Sequence, residues 1–139
     1  MSSNKSFNRI LIIDDDKASV FLTKVVLEDM NIAEQILTAN NGYEGLKQIK
    51  DNCLNAHASS PACPDLILLD INMPVMDGFE VLNELHQIGQ TNLIQAKVVV
   101  LTTSSNPHDI KKMKSFGIKD YLEKPVSEDK ILPLIPKAN

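Results

Sequence analysis

The chain alternates short apolar runs with longer stretches in which apolar residues recur at helical spacing. The runs at residues 9–13, 66–69 and 97–101, which are apolar apart from the leading Arg9 and Lys97, are typical of strands that are buried on both faces of a parallel sheet. Less regular runs at residues 35–39 and 118–122 predict two further strands. The pattern therefore predicts five strands, separated by polar or amphipathic segments.

The longest amphipathic segment, residues 17–30, predicts a helix that follows the first strand. Asp16 is a suitable N-cap, because its carboxylate can accept hydrogen bonds from the first backbone amides. The residues that share one helical arc predict its buried face: Ser19, Leu22, Val26, Leu27 and Met30. Phe21 and Val25 flank this arc, and we interpret them as widening the core stripe; a surface for docking a partner is the alternative.

Shorter helices are predicted at residues 43–52, 79–88 and 106–115, and Ser127 is predicted to cap a last short helix. Strands that alternate with helices predict an α/β fold with a parallel sheet and helices on both faces, because each parallel crossover must pass over the sheet. We expect one domain over residues 1–139, with a core of about 8–134 and tails at 1–7 and 135–139.

Composition excludes several classes of protein. A hydrophobic fraction of 43% and a charged fraction of 23% are typical of a globular domain. The net charge of −4 argues against nucleic-acid binding over the whole surface. No apolar run approaches the ~18 residues of a membrane span, and residues 1–6 lack the apolar segment of a signal peptide. We therefore predict a cytoplasmic protein that binds neither nucleic acid nor membrane.

The two cysteines, Cys53 and Cys63, are expected to be free thiols if the chain is cytoplasmic. Together with His57 they could provide three ligands for zinc. Structural zinc sites are closed by four ligands, and the sequence nearby offers no fourth. We therefore interpret this segment as a solvated loop.

Polar side chains follow four of the predicted strands. Asp14 and Asp15 follow the first strand, Asp70 the third, Thr102 the fourth and Lys124 the fifth. Because ligands bind at the carboxyl ends of the strands in such sheets, we expect these groups to meet at one edge. Three carboxylates repel one another unless a cation lies among them, and hard oxygen ligands suit Mg²⁺. With a lysine and a hydroxyl nearby, they predict a site for phosphoryl transfer to an aspartate.

Four motifs carry a resemblance to a known family: Ile-Ile-Asp14-Asp15, Leu-Leu-Asp70-Ile-Asn72-Met-Pro74-Val-Met-Asp77-Gly78, Val-Leu-Thr102 and Tyr121-Leu-Glu-Lys124-Pro125. In this order and at these separations, over about residues 8–134, they resemble the receiver domain of two-component response regulators. Among its single-domain members the chain is similar to the chemotaxis response regulator. The resemblance implies a flavodoxin-like (βα)5 fold, a doubly wound parallel sheet of five strands in the order 2-1-3-4-5.

The resemblance also implies the chemistry of the site. Asp70 would be the nucleophile that accepts the phosphoryl group, and Lys124 would pair with Asp70 or with the phosphoryl oxygens. Asp15 and Asp70 would bind Mg²⁺ directly, together with the backbone carbonyl of Asn72. Asp14 would act on the metal through a water molecule.

The remaining family positions concern the switch. Thr102 would donate a hydrogen bond to the phosphoryl group and move together with Tyr121, and the Lys124–Pro125 peptide would be cis. Thr103 stands where the family usually has a smaller residue that leaves room for the phosphoryl group. We therefore expect slower phosphorylation or slower hydrolysis.

The last helix departs from the family pattern, because Pro133 and Pro136 interrupt it. A proline inside a helix removes a backbone hydrogen bond and clashes with the preceding turn. The apolar residues of this segment are therefore expected to cover the domain's own core: Ile131, Leu132, Leu134 and Ile135. We predict a monomer, or at most a weak dimer.

These observations favour a signalling switch that takes a phosphoryl group from a histidine kinase or phosphotransfer protein and changes its surface for a downstream partner. Its only catalytic activity would be its own phosphorylation and dephosphorylation. One alternative is a Mg²⁺-dependent aspartyl-phosphate phosphatase of the haloacid dehalogenase type, but that class usually has a second acid where this chain has Asn72. Another is a degenerate receiver that only binds proteins, and the intact set of site residues argues against it.

Overall fold

The computed structural model describes residues 5–54, 63–87, 96–103 and 106–136. Its described residues form one parallel sheet of order β2-β1-β3-β4-β5, which confirms the predicted fold class and strand order. The strands are β1 Phe7–Ile13, β2 Ala33–Ala39, β3 Leu66–Asp70, β4 Lys97–Thr102 and β5 Tyr121–Glu123. His57, Ile88 and parts of the predicted tails and of the linker before β4 lie outside the described residues.

Helices pack against both faces of the sheet. Their bounds are α1 Lys17–Met30, α2 Gly42–Ile49, α3 Gly78–Gln87, α4 Pro107–Ser115 and α5 Glu128–Ile131. A π-helical turn, Lys50–Leu54, extends α2, and a 3₁₀ turn, Leu132–Leu134, extends α5. Asp16 is confirmed as the N-cap of α1, since its side chain accepts from two first-turn amides. In the described part of the chain, no helix has both the length and the apolar character needed to cross a membrane.

The fifth strand begins at Tyr121, later than the predicted start at residue 118. Gly117 has a φ of +80°, the left-handed conformation that commonly ends a helix. The backbone amide of Ile118 then donates to the carbonyl of Met113 in α4. Because this amide closes the helix, it is not available to the sheet, and pairing with β4 starts further along the chain.

The register brings the ends of the strands to one edge of the sheet. Ile13 pairs with Leu69, and Asp70 pairs with Leu101. Thr102 pairs with Glu123, and the next backbone amide, that of Lys124, donates to the Thr102 carbonyl at 2.7 Å. The Lys124–Pro125 peptide is cis, as the resemblance implies.

Two apolar clusters form the core, one on each face of the sheet. Alternate residues of β1 and β3 point to opposite faces, as the pleat of a strand requires. Leu11 and Leu69 belong to the cluster that includes side chains of α2, α3 and α4. Ile12 and Leu68 belong to the other cluster, together with side chains of α1 and α5. Burial on both faces explains the continuous apolar runs of these strands.

The predicted buried face of α1 is confirmed in part, since Leu27 is buried and Val26 and Met30 pack against the core. Thr23 and Leu27 are buried, whereas Leu22 is 53% exposed, so its placement in the core was wrong. Phe21 and Val25, which are 66% and 37% exposed, do not widen the core stripe either. Ser19, Thr23 and Leu27 lie along one line of the helix at four-residue spacing. At the start of this line, the Ser19 hydroxyl donates to Asp14 at the sheet edge.

Cys53 and Cys63 form a disulfide, so the prediction of free thiols was wrong. The turn after α2 and the segment before β3 bring their Cα atoms to 4.8 Å, although ten positions separate them in the sequence. Both cysteines are buried in the core cluster of α2 and α3. Because their sulfur atoms are bonded to each other, they do not provide thiolate ligands for zinc.

Candidate functional site

Three acidic residues meet where β1 and β3 end. Asp14 and Asp70 are buried, with 1% and 2% of their surface exposed, and Asp15 is exposed. One carboxylate oxygen from each of the three lies within 4.8 Å of the others. The structure therefore brings the sequence-predicted acidic cluster together, with two members inside the protein and one facing solvent.

Lys124 extends into this cluster from the segment after β5. Its Nζ atom donates to Oδ2 of Asp14 at 2.8 Å and to Oδ2 of Asp70 at 3.1 Å. Only 13% of the lysine side chain is exposed, so both ion pairs are shielded from water. The pairing with Asp70 was expected from the resemblance, and the shorter contact with Asp14 was not.

Asp14 is held by three donors of the protein itself. Besides Lys124, the Ser19 hydroxyl donates to its Oδ2 at 2.8 Å, and the Asp16 amide donates to its Oδ1 at 2.9 Å. Ser19 was predicted to lie on the core arc of α1, and its contact with the site was not predicted. The available signal was its place in the first turn of a helix that directly follows the acidic end of a strand.

Asp70 is held from its own loop as well as by Lys124. The backbone amide of Asn72 donates to Oδ1 of Asp70 at 2.9 Å. Gly78 begins α3 directly behind this loop, and a Cβ atom there would lie only 2.7 Å from the carbonyl oxygen of Asp70. A glycine is required because the helix and the end of β3 approach so closely. The turn between them places Asp70 against the start of α3.

Burial and hydrogen bonding act in opposite directions on the ionisation of the site. Burial raises the pKa of Asp14, but the hydrogen bonds from Lys124, the Asp16 amide and Ser19 outweigh it and hold this pKa below its usual value. Burial also raises the pKa of Asp70; one backbone amide and the Lys124 charge oppose this only in part, and the pKa rises to about 6. Burial lowers the pKa of Lys124, but its two carboxylate partners, Asp14 and Asp70, raise this pKa by more, so it lies above its usual value.

The predicted switch residues lie on β4 and β5. Thr102 is buried at the end of β4, and the neighbouring Thr103 is exposed. The Thr103 hydroxyl accepts a hydrogen bond of 3.4 Å from the Asn72 side chain in the loop after β3. Tyr121 opens β5 opposite Val100 and is 38% exposed. Thr102 and Tyr121 therefore lie on neighbouring strands, the first buried at the end of β4 and the second partly exposed at the start of β5.

Oxygen ligands dominate this arrangement, since three carboxylates face one ammonium group. Such a donor set fits a hard divalent cation such as Mg²⁺, which binds through carboxylates and retains water molecules. Asp15 faces solvent and can approach an ion directly. Asp14 already accepts three hydrogen bonds from the protein, which suits an indirect role. A carboxylate, a cation and a fixed lysine are the elements of a site that receives a phosphoryl group.

Comparison with known proteins agrees with this geometry. The response regulator receiver domain model matches residues 10–135. PilH of Pseudomonas aeruginosa is 32% identical over 127 residues, which cover 91% of this chain and 93% of PilH. A solved two-component response regulator from Cytophaga hutchinsonii superimposes with a TM-score of 0.79 at 26% identity, over 92% of this chain and 93% of the other.

Relatives also include much longer proteins. Hybrid signal transduction histidine kinase B of Dictyostelium discoideum is 29% identical over 138 residues, and the chain spans only 6% of its length. The matched region is therefore a unit that occurs both as most of a small protein and as a small part of a large one. The chain belongs to the response regulator receiver domain family, the phosphoryl-accepting switches of two-component signalling.

Proposed function

We propose that Asp70 accepts a phosphoryl group from a histidine kinase or a histidine phosphotransfer protein and that the resulting charge changes the surface offered to a downstream protein. One observation carries the proposal. The buried carboxylate of Asp70 is fixed between the Asn72 amide and the Lys124 ammonium, beside two further acidic residues. A carboxylate that is oriented from both sides is suited to act as a nucleophile.

Transfer exchanges one bond for another at phosphorus. An oxygen of Asp70 bonds to phosphorus, the bond from phosphorus to the donor's nitrogen or oxygen breaks, and its electron pair leaves with the donor. Asp70 must be ionised to attack, and a pKa of about 6 leaves it mostly ionised at neutral pH. Lys124 stabilises the negative charge that the phosphoryl oxygens bring into this buried site.

Mg²⁺ would be held by Asp15, Asp70 and the backbone carbonyl of Asn72, with Asp14 acting through water. When bound, the ion neutralises the charge of the acidic cluster and of the incoming phosphoryl group. Asp14 positions Lys124, since the two are joined at 2.8 Å. The protein's own part is therefore to keep one ammonium group and one nucleophilic oxygen in a fixed relation.

Thr102 would donate its hydroxyl to a phosphoryl oxygen, and Tyr121 would respond to that movement. Thr102 is buried at the site, whereas Tyr121 is partly exposed on the neighbouring strand. Glu123 lies opposite Thr102 in the register, two residues after Tyr121, so a shift of β4 reaches β5 directly. This route leads from the buried site to a surface that a partner can contact.

The phosphatase alternative is not favoured. The residue two positions after Asp70 is Asn72, which cannot act as a general acid, and its side chain contacts Thr103. We infer that the chain's catalytic activity is limited to its own phosphorylation and dephosphorylation. The wild-type protein is expected to release phosphate from a phosphomonoester no faster than the Asp70→Asn variant does.

Labelling with a small phosphodonor tests the proposal. Incubation with acetyl phosphate and Mg²⁺ should add one phosphoryl group, detected by intact-mass spectrometry. Asp70→Asn should take up none, because the nucleophile is gone. Asp29→Asn, an equal change of charge at an exposed position of α1, should be labelled like the wild type. Labelling of Asp70→Asn, or labelling in excess chelator, would show that another group or another chemistry is involved.

A further inference from the structure

Lys130 in α5 holds the backbone on both sides of Lys124. Its Nζ atom donates to the carbonyl oxygen of Glu123 at 2.6 Å and to that of Pro125 at 2.9 Å. These two carbonyls belong to the residues immediately before and after Lys124. One ammonium group therefore clamps the short segment that carries the lysine of the acidic cluster.

The segment needs such support because the sheet provides little. β5 pairs on one side because it is the edge strand of the sheet, and it has only three residues. The Lys124 amide continues the ladder through one bond to Thr102. The Lys124 side chain must nevertheless reach Asp14 and Asp70 at hydrogen-bond distance. A small rotation of the backbone at Lys124 would move its ammonium group away from both carboxylates.

We propose that Lys130 is a positioning residue for phosphoryl transfer: by binding the carbonyls that flank Lys124, it fixes the placement of the Lys124 ammonium group against Asp70. The proposal rests on the proposed function for its kinetic consequence. Its structural consequence, a more mobile Lys124 side chain when Lys130 is replaced, does not depend on that function. Hydrogen bonds from a charged donor to carbonyl oxygens are among the stronger ones, which suits a clamp.

Three variants separate the ammonium group of Lys130 from its aliphatic stem and from net charge. Lys130→Met keeps the stem and removes both hydrogen bonds, and Lys130→Arg keeps a cationic donor. Lys97→Met makes the same charge change at the amino end of β4, where Lys97 pairs with Asp120 at 3.2 Å, away from the site. With acetyl phosphate and saturating Mg²⁺, Lys130→Met should be phosphorylated about tenfold more slowly, since misplacing a catalytic group costs up to ~100-fold. Lys130→Arg should recover most of the rate, and Lys97→Met should match the wild type.

A double-variant comparison tests whether Lys130 acts through Lys124. In a Lys124→Ala background, Lys130→Met should cause no further slowing, because the group that it positions is absent. Slowing by the same factor in both backgrounds would overturn the proposal. So would a Lys130→Met protein that melts at a lower temperature but is phosphorylated at the wild-type rate, since that result assigns Lys130 to stability alone.

Side-chain ¹⁵N NMR of Lys124 tests the clamp without any phosphoryl transfer. In the wild type its ammonium group, held by two buried carboxylates, should be protected from exchange with water. Lys130→Met should broaden or abolish this signal, and Lys97→Met should preserve it. An unchanged signal in Lys130→Met would exclude the clamp even if phosphorylation were slower. A changed signal in a protein that takes up no phosphoryl group would support the clamp and reject the proposed function.

Discussion

Asp70 is the residue whose surroundings decide most of the chemistry. Burial favours its protonated form, while Lys124 and the Asn72 amide favour the carboxylate. The balance places its pKa at about 6, whereas that of Asp14 remains below its usual value. The two buried carboxyl groups therefore differ in character: Asp14 is a permanent charge at neutral pH, and Asp70 changes charge just below it.

This difference predicts how Mg²⁺ binding depends on pH. In the proposed site the ion would bind the carboxylate form of Asp70, so below a pH of about 6 binding would have to expel a proton. Apparent affinity should fall about tenfold per pH unit below that value and level off above it, as measured by calorimetry between pH 5 and 8. Asp70→Asn should bind more weakly and lose this dependence. Equal affinity of the wild type at pH 5 and pH 7 would contradict the assignment.

Replacing Lys124 by alanine and replacing Thr102 by alanine should have different effects on phosphorylation and on the switch. Lys124 is a buried charge bonded to two carboxylates, so its loss should slow phosphorylation and impair the switch together. Thr102 would contribute one hydrogen bond to the phosphoryl group, worth about 1–3 kcal/mol when an anion is involved. Thr102→Ala should still be phosphorylated, as mass spectrometry will report. In a Tyr43→Phe background, which leaves Tyr121 as the one tyrosine, phosphorylation of Thr102→Ala should change the tyrosine fluorescence less than phosphorylation of the protein with Thr102 does. If Thr102→Ala took up no phosphoryl group while Lys124→Ala behaved as the wild type, these assignments of Lys124 and Thr102 would be wrong.

At the scale of elements, the disulfide joins the end of α2 to the segment that leads into β3. Closing a loop of about ten residues reduces the entropy of the unfolded chain, which stabilises the fold by about 3 kcal/mol in the chain-entropy model. A reducing agent should therefore lower the free energy of unfolding in urea by roughly this amount. The double variant Cys53→Ala/Cys63→Ala should show no response to the reductant. Two reactive thiols in the untreated protein would indicate that the bridge does not form.

The last helical segment, α5 with the 3₁₀ turn that follows it, determines the prediction of the oligomeric state. Ile131 and Leu134 are buried against β1, β3 and their neighbours, as expected for residues that cover the domain's own core. Leu132 is 52% exposed, so its predicted burial was wrong; the change to a 3₁₀ turn alters the periodicity there. One exposed leucine on so short a segment provides little of the ~1,000 Å² that a stable interface needs.

We therefore expect a monomer, or only a weak dimer, even in the activated state. Light scattering with beryllofluoride and Mg²⁺, which together mimic the phosphorylated form in this family, should give the monomer mass at low micromolar concentration. Lys130→Met, which leaves the apolar residues of the segment unchanged, should give the same mass. A clean dimer would show that another surface, such as the exposed side chains of α1, provides the interface.

The sequence by itself determined the fold class and which side chains gather at the carboxyl edge of the sheet. Runs buried on both faces identify parallel strands, and polar residues at their carboxyl ends must then meet at one edge of the sheet. Asp14, Asp70, Thr102 and Lys124 could be assigned in this way because each directly follows or ends its strand. Topology alone brings them together, whatever the details of packing.

Only the tertiary structure decided how elements turn toward one another. Periodicity relates residues within one helix, but it does not state which line of that helix faces the sheet, so Leu22 was placed inside and Thr23 was overlooked. The bond from Ser19 to Asp14 and the disulfide of Cys53 depend on distances between separate segments, which no local pattern encodes. The same holds for Lys130, whose ammonium group meets the carbonyls of Glu123 and Pro125 only in the folded chain.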